Sequence, residues 1–202
     1  MLDTLERHEG RTLPMRPATL QVDLRTGLLS GNPEIQDIVR TLGDLKGIFR
    51  DEKLRSSLPQ TTPIYSVQTF LPVKEGTEGA LFWGTTFIEP GTIGGEYHMT
   101  KGHFHAKLDR TEFYMGVEGE GALILMDESG RTWWERMHPG SVHAIPGRVA
   151  HRVANTGKTR LSFLACWPSD AGHDYETIAR DGFGGRLMDV DGVPSLIEEK
   201  RA

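Results

Sequence analysis

The chain reads as an all-β protein, a sandwich or barrel with a helical extension before it and a hairpin after it. Three observations predict this class. From about residue 63 the sequence breaks into short runs rich in β-branched and aromatic residues. Gly, Pro, Asn or Asp bounds each run, as turns require. The 24 glycines and 11 prolines are spread along the 202 residues rather than gathered in one linker, which suits many strands joined by short connections.

Residues 1–60 are expected to form the extension. Its helix is predicted in "NPEIQDIVRTLGDLKGIFRDEKL", from Asn32 to Leu54. Asn32 is a capping residue, Pro33 fits the first helical position and Glu34 favours the first turn. Ile35, Ile38, Val39, Leu42, Leu45 and Phe49 recur at helical spacing. Gly43 and Gly47 weaken that helix, so it must lean on the rest of the fold.

The barrel is expected over residues 61–170. Its strands are "PIYSVQTFL", "ALFWGTTFIEP", "TEFYMGVEGEGALILMD", "TWWERM", "SVHAIP", "AHRVANTG" and "RLSFLACWP". Trp133 and Trp134 are adjacent on a strand and must face opposite ways, with at least one in the core. Residues 171–202 are expected to pack on the barrel, their hairpin either covering it or pairing with another subunit. Within them, "DYETIARDG" is either a short helix or irregular, and "GGRLMDVDGVPSLIEE" is a hairpin turning near Asp191-Gly192.

Composition removes several functions. Apolar residues make up 37% and charged residues 25%, an ordinary globular balance. The formal net charge of -5 supplies no broad basic face, which argues against nucleic acid as a partner. A small anionic substrate needs only a few local donors and stays open. Cys166 is the only cysteine, so neither an intrachain disulfide nor a thiolate zinc site is possible. No apolar run reaches the length of a membrane span. The first residues, "MLDTLERHEGRTLP", lack the apolar core of a secretory leader. A cytoplasmic protein is the expectation.

The chemistry concentrates in "HMTKGHFHAKLDRTEFYMGVEGEG", His98 to Gly121. On a strand, His103 and His105 share a face and their imidazoles converge. Glu112 opens the next strand, where an antiparallel neighbour would swing its carboxylate over the pair. His151 follows a Pro-Gly turn and opens a further strand. For His103 and His105 alone, an ordinary polar role and a ligand role are equally good readings. Glu112 and His151 tip the balance to metal. His8, His98, His138 and His143 read as ordinary polar or core residues. Lys101 and Arg152 flank ligands, so strand alternation should turn them away from the metal.

Two segments carry a family resemblance. "GHFHAKLDRTEFYMGVEG" resembles the first cupin motif, His-x-His, a carboxylate and then Gly119, with a longer spacer than usual between His105 and Glu112. "GSVHAIPGRVAHRVAN" resembles the second, with Gly140, Pro146, His151 and Asn155; Arg148 stands where that motif has glycine. With "EPGTIGGEYHMTKGHFH" and "WPSDAGHDYETIARDGFGGRLMDV", the match from Thr85 to Val190 is similar to cupin-type glucose-6-phosphate isomerase.

That resemblance implies a cupin barrel, a homodimer, and a metal-dependent enzyme that interconverts glucose 6-phosphate and fructose 6-phosphate. It implies His103, His105, Glu112 and His151 as metal ligands. This set suits one divalent first-row ion per subunit, Fe²⁺ before Mn²⁺, Zn²⁺, Ni²⁺ or Co²⁺. Four protein ligands leave two positions on an octahedral ion for the carbonyl oxygen and neighbouring hydroxyl of an open-chain sugar. Hydrogen then moves between C1 and C2, by a base through an enediol or by a direct hydride shift. Glu112 is the obvious base, although a carboxylate bound to a cation loses basicity.

The resemblance also assigns Thr86, Thr100 and Gly102 to the phosphate. It assigns His173 and Tyr175 to the sugar hydroxyls or ring opening; Tyr114, two after Glu112 on the same strand face, is expected to contact substrate. Arg148 and Trp167 depart from the family, which has aromatics and a tyrosine there; Arg148 is either an added phosphate cation or a solvated side chain. Because cupins host many reactions, two other readings stand beside this one. One is a different cupin enzyme, a sugar isomerase or an iron dioxygenase. The other is a sugar- or metal-binding cupin without turnover.

Overall fold

The computed structural model describes residues 14–199. In chain order its elements are β1 (Gln21–Val22), β2 (Leu29–Ser30), β3 (Gln36–Thr41), a 3-10 turn (Leu42–Leu45), α1 (Glu52–Ser57), β4 (Pro63–Phe70) and β5 (Leu81–Ile88). They continue with β6 (Thr92–Ile93), β7 (Glu96–Tyr97), β8 (Glu112–Glu118), β9 (Gly121–Asp127), β10 (Thr132–Met137) and β11 (Val142–Ile145). The last are β12 (Val149–Asn155), β13 (Leu161–Pro168), α2 (Tyr175–Asp181), β14 (Gly185–Val190) and β15 (Val193–Glu198).

The all-β class holds. The largest sheet has six strands in the order β11-β8-β13-β5-β4-β3, and its strand pairs are antiparallel. A three-stranded sheet, β10-β9-β12, supplies much of the other half of the core. Leu123, Ile124, Leu125, Met126, Val153 and Ala154 from it share one apolar cluster with Ile64, Ile88, Leu161 and Phe163 from the six-stranded sheet. Burying these side chains from both sheets is the main favourable term in the fold. A four-stranded sheet, β15-β14-β7-β6, contains the C-terminal hairpin, and β1 and β2 pair as a separate two-stranded sheet.

The hairpin turns where the sequence put it. Asp191 (φ 53) and Gly192 (φ 81) both take left-handed conformations, as a two-residue turn that follows strand twist demands. Trp133 packs against the core and Trp134 is partly exposed, on opposite faces of β10. The alternative left open for "DYETIARDG" resolves as α2, with the Asp174 side chain accepting from the Thr177 N–H.

The predicted helix over Asn32–Leu54 is corrected. Its middle is β3, paired with β4, with Ile38 opposite Val67 and Arg40 opposite Tyr65. The Asn32 side chain accepts from the Glu34 N–H at 2.9 Å, so it closes a turn rather than capping a helix. The helix that does form is α1, six residues long and capped by Asp51. The apolar spacing reported burial correctly at Leu42, Leu45 and Phe49. Pairing with β4 outweighed a weak helical preference, and Ile38 and Val39 suit a pleated edge.

A cavity floored by one face of the sheet

Successive strand residues alternate between faces, and one face of the six-stranded sheet floors a cavity. Ile38 and Arg40 of β3 reach it, as do Tyr65, Val67 and Thr69 of β4 and Gly84 and Thr86 of β5. Phe163, Ala165 and Trp167 of β13 and Glu112 and Tyr114 of β8 complete the floor. Register aligns them in rows. Ile38, Val67, Thr86 and Phe163 form one, and Thr69, Gly84, Ala165 and Tyr114 the next. The facing wall is Thr100–His103, His151 of β12, and His173 with Tyr175.

The predicted ligands meet here by a different route from the one expected. His103 lies in an extended segment outside the named strands and pairs with His151 through two backbone hydrogen bonds, of 3.2 and 3.0 Å. Glu112 belongs to the opposite sheet. It therefore faces the histidines across the cavity rather than from a hydrogen-bonded neighbour. The four candidate ligand atoms lie within 4.8 Å of one another. Nε2 of His105 is 2.9 Å and Nε2 of His151 is 3.6 Å from Glu112 Oε2.

The donor set passes a direct test for a cation. Nε2 of His103 and Nε2 of His151 are buried without a hydrogen-bond partner, an arrangement that is costly unless something else satisfies them. Nδ1 of His105 lies 2.9 Å from the Arg110 carbonyl, and Nδ1 of His151 lies 3.2 Å from that of Val149. A proton on each Nδ1 leaves the Nε2 lone pair free, the usual arrangement of a metal-binding histidine.

Electrostatics agrees. Burial, with His151 and His173 adding to it, pushes the His103 imidazole well below the ordinary histidine range, so the ring is neutral. Burial opposes ionisation of Glu112, but the neighbouring histidines, His105 at hydrogen-bonding distance among them, outweigh it and hold its carboxyl below the usual range. At His105, burial lowers the pKa and the bond to Glu112 more than restores it, leaving a net rise.

The other predicted residues divide. Tyr114, Thr86, Thr100, Gly102, His173, Tyr175 and Trp167 all line the cavity. His173 stacks on Tyr175 with centroids 5.5 Å apart, and its edge meets His103 at 4.5 Å. Arg148 is corrected as a phosphate cation. It lies outside the cavity lining, and its guanidinium pairs with Glu128 at 3.2 Å. Its φ of 64 explains why the second cupin motif has glycine there.

Lys101 is a correction in the other direction, because it lines the cavity despite flanking a ligand. Strand alternation fails there, since Gly102 turns the chain at φ 77. Arg152 does point away, donating to the Lys101 carbonyl at 2.9 Å and stacking on Phe183 at 4.0 Å. Asn155 acts as a turn clamp, bonded to Ile88, Thr159 and Gly157. His98, His138 and His143 make local bonds to Glu89, Pro139 and Glu135. His8 lies outside the described residues.

Sequence reasoning missed Arg40, Tyr65, Val67 and Thr69. The signal was their spacing of two along β3 and β4. For β3 it was hidden once the segment had been read as helical.

The family model for glucose-6-phosphate isomerase (GPI) matches residues 39–194. The glucose-6-phosphate isomerase of Thermococcus kodakarensis is 40% identical over 186 residues, covering 92% of this chain and 96% of that one. That of Pyrococcus abyssi is 38% identical over 185 residues with the same coverage, and that of Sinorhizobium medicae 36% over 178 residues, covering 87% and 81%. A solved oxalate decarboxylase from Bacillus subtilis superposes with a TM-score of 0.44 and 19% identity, over 60% of this chain and 29% of that one. With the family match spanning most of the chain and relatives aligned nearly end to end, the chain belongs to the cupin-type glucose-6-phosphate isomerase family.

Proposed function

We propose that the chain interconverts glucose 6-phosphate and fructose 6-phosphate in this cavity, with one divalent ion held by His103, His105, Glu112 and His151. The observation that carries the reading is the pair of buried, partnerless Nε2 atoms facing an ionised carboxylate inside a cavity that also holds cations. Fe²⁺ is the first ion to test, then Mn²⁺, Zn²⁺, Ni²⁺ and Co²⁺, which the same ligands accept. When bound, the ion supplies Lewis-acid polarisation of the sugar carbonyl and fixes it beside the neighbouring hydroxyl.

The protein's own groups do the rest. A carboxylate held below its usual range is a weak base, which favours Glu112 as ligand over proton acceptor. Burial and the Glu112 charge push the Tyr114 phenol well above its ordinary value, so it remains a proton donor. Burial lowers the His173 imidazole. A neutral ring at the cavity wall both accepts and donates, as opening a sugar ring requires. Tyr175, stacked on it, holds the ring plane.

Phosphate binding falls to Thr86, Thr100 and Gly102, with Arg40 and Lys101 as the cations. Neither cation is committed to an ion pair among the described residues. Thr100 Oγ1 accepts from the Val153 N–H at 3.1 Å, which leaves its own O–H to donate. Arg40→Met should raise KM for fructose 6-phosphate about tenfold or more with kcat little changed, since a hydrogen bond to a charged group contributes about 1.5–3 kcal/mol. Arg148→Met should leave KM unchanged. Steady-state kinetics on both variants checks the assignment, and the reverse ranking would return the role to Arg148.

A homodimer and a cytoplasmic setting complete the reading. No helix among the described residues is long and apolar enough to cross a membrane. The decisive experiment strips metal with chelator, restores Fe²⁺ or Mn²⁺, and follows glucose 6-phosphate formed from fructose 6-phosphate. Activity should vanish and return. Stoichiometric metal binding without turnover on any ion would leave a binding cupin or one with another substrate.

A further inference from the structure

Among the described residues two buried carboxylates, Glu96 and Asp170, lie outside the ligand set, and one of them reaches toward it. Asp170 is 6% exposed and follows β13, three residues before His173. Its Oδ1 accepts from Arg110 Nε at 3.0 Å. Its Oδ2 accepts from Arg110 Nη2 and from Lys107 Nζ, each at 2.7 Å. A two-point Arg–carboxylate pair fixes orientation as well as distance. The Lys107 N–H also donates to the Ala171 carbonyl at 2.9 Å.

The other ends of these contacts reach the metal centre. Arg110 offers its backbone carbonyl to His105 Nδ1 at 2.9 Å, and the far nitrogen of that ring lies 2.9 Å from Glu112 Oε2. Lys107 and Arg110 both belong to the long spacer between His105 and Glu112. A long loop between two ligands costs entropy to order, and something must hold it. A second tie joins the same two loops, because Phe104 and Asp174 exchange backbone hydrogen bonds of 3.3 and 2.8 Å.

We propose that Asp170 is a positioning residue for the metal centre: by clamping Arg110 and Lys107 it sets the carbonyl that fixes the tautomer and aim of His105. The clamp also makes the spacer and the loop bearing His173 one unit. The long spacer is then a built part of the site, with its own anchor. This rests on the metal-site reading and needs nothing from the choice of substrate.

The test uses the full-length apoprotein and Zn²⁺ alone as probe, in competition with a chromophoric chelator. Arg110→Met keeps the carbonyl that faces His105 and removes the two-point Arg110 arm of the clamp, leaving Lys107 on Asp170; its side chain is 26% exposed, so the variant should fold. Asp170→Asn weakens both arms from the other side, since it loses the charge and one acceptor oxygen. Removing the partner of a metal-bound histidine typically costs 10–100-fold in metal affinity, and each variant, which loosens that partner without removing it, should weaken Zn²⁺ binding by about tenfold. Arg110→Lys, which keeps a cation for Asp170, should recover part of the loss.

Thermal unfolding of the apoproteins separates this from plain stabilisation. A merely structural ion pair would lower the melting temperature and leave Zn²⁺ affinity of the folded protein unchanged, and that result overturns the proposal. If Asp170→Asn fails to fold, Arg110→Met decides alone. Wild-type protein that binds no Zn²⁺, Mn²⁺ or Fe²⁺ would instead sink the metal reading itself.

Discussion

Replacing His103 with alanine should remove tightly bound metal and lower kcat on the order of 10³-fold, while the apoprotein still folds. Lewis-acid stabilisation is typically worth several kcal/mol, and each 1.36 kcal/mol is a factor of ten in rate. His103 suits this test better than His151. Its backbone is tied to β12 by hydrogen bonds that a side-chain change leaves in place, whereas His151 is the more deeply buried of the two, on a strand at 1% exposure, where alanine would enlarge the cavity behind it. The deleted ring has a buried, partnerless Nε2 and is neutral, so removing it relieves an unsatisfied group in the apoprotein. In the metal-loaded protein it removes a proposed ligand. The measurements are metal content per subunit, kcat, and the melting temperature with and without added ion. Wild-type protein should gain stability with Fe²⁺ or Mn²⁺ by mass action, and His103→Ala should not. Full activity in a metal-free variant would end the metal mechanism.

Gly102→Ala should damage substrate binding and stability together. The residue sits at φ 77, a conformation that costs a side-chain-bearing residue about 1–2 kcal/mol. A Cβ there would also lie 2.8 Å from Arg152 Nε and 2.8 Å from the Phe183 ring. Neither can step aside, because Arg152 is already bonded to the Lys101 carbonyl and stacked on Phe183. The wall bearing Thr100 and Lys101 must shift instead. Losing one charge-assisted contact to phosphate corresponds to a KM rise of about tenfold, and urea unfolding should show the stability loss. Metal content should stay near wild type, since His103 keeps its pairing with His151. An unchanged KM would show that this turn does not bind phosphate.

Much of this was legible in the sequence because strand side chains repeat every two residues and ligands must be particular residue types. His103 and His105 announced themselves by alternation, and Glu112 and His151 by their places at strand starts. Arg40 shows the opposite case. Its neighbours satisfy helical spacing and strand pairing almost equally, so the local pattern does not choose. Arg148 and Lys101 show why a cation's position in a motif does not fix its direction. A left-handed residue in each short segment, Arg148 itself in one and Gly102 in the other, turns the chain out of strand alternation.

The sequence by itself determined the all-β class, the C-terminal turn at Asp191-Gly192, and the four residues able to hold an ion. Each follows from short-range rules, side-chain alternation, turn chemistry and donor type, that operate within a few residues. Only the tertiary structure decided that Glu112 faces the histidines from the opposite sheet and that β3 is an edge strand bringing Arg40 to the cavity. It alone placed Asp170 beneath the ligand spacer. Those outcomes depend on which segments pair across long stretches of chain, where the burial of two sheet faces against each other outweighs any local preference.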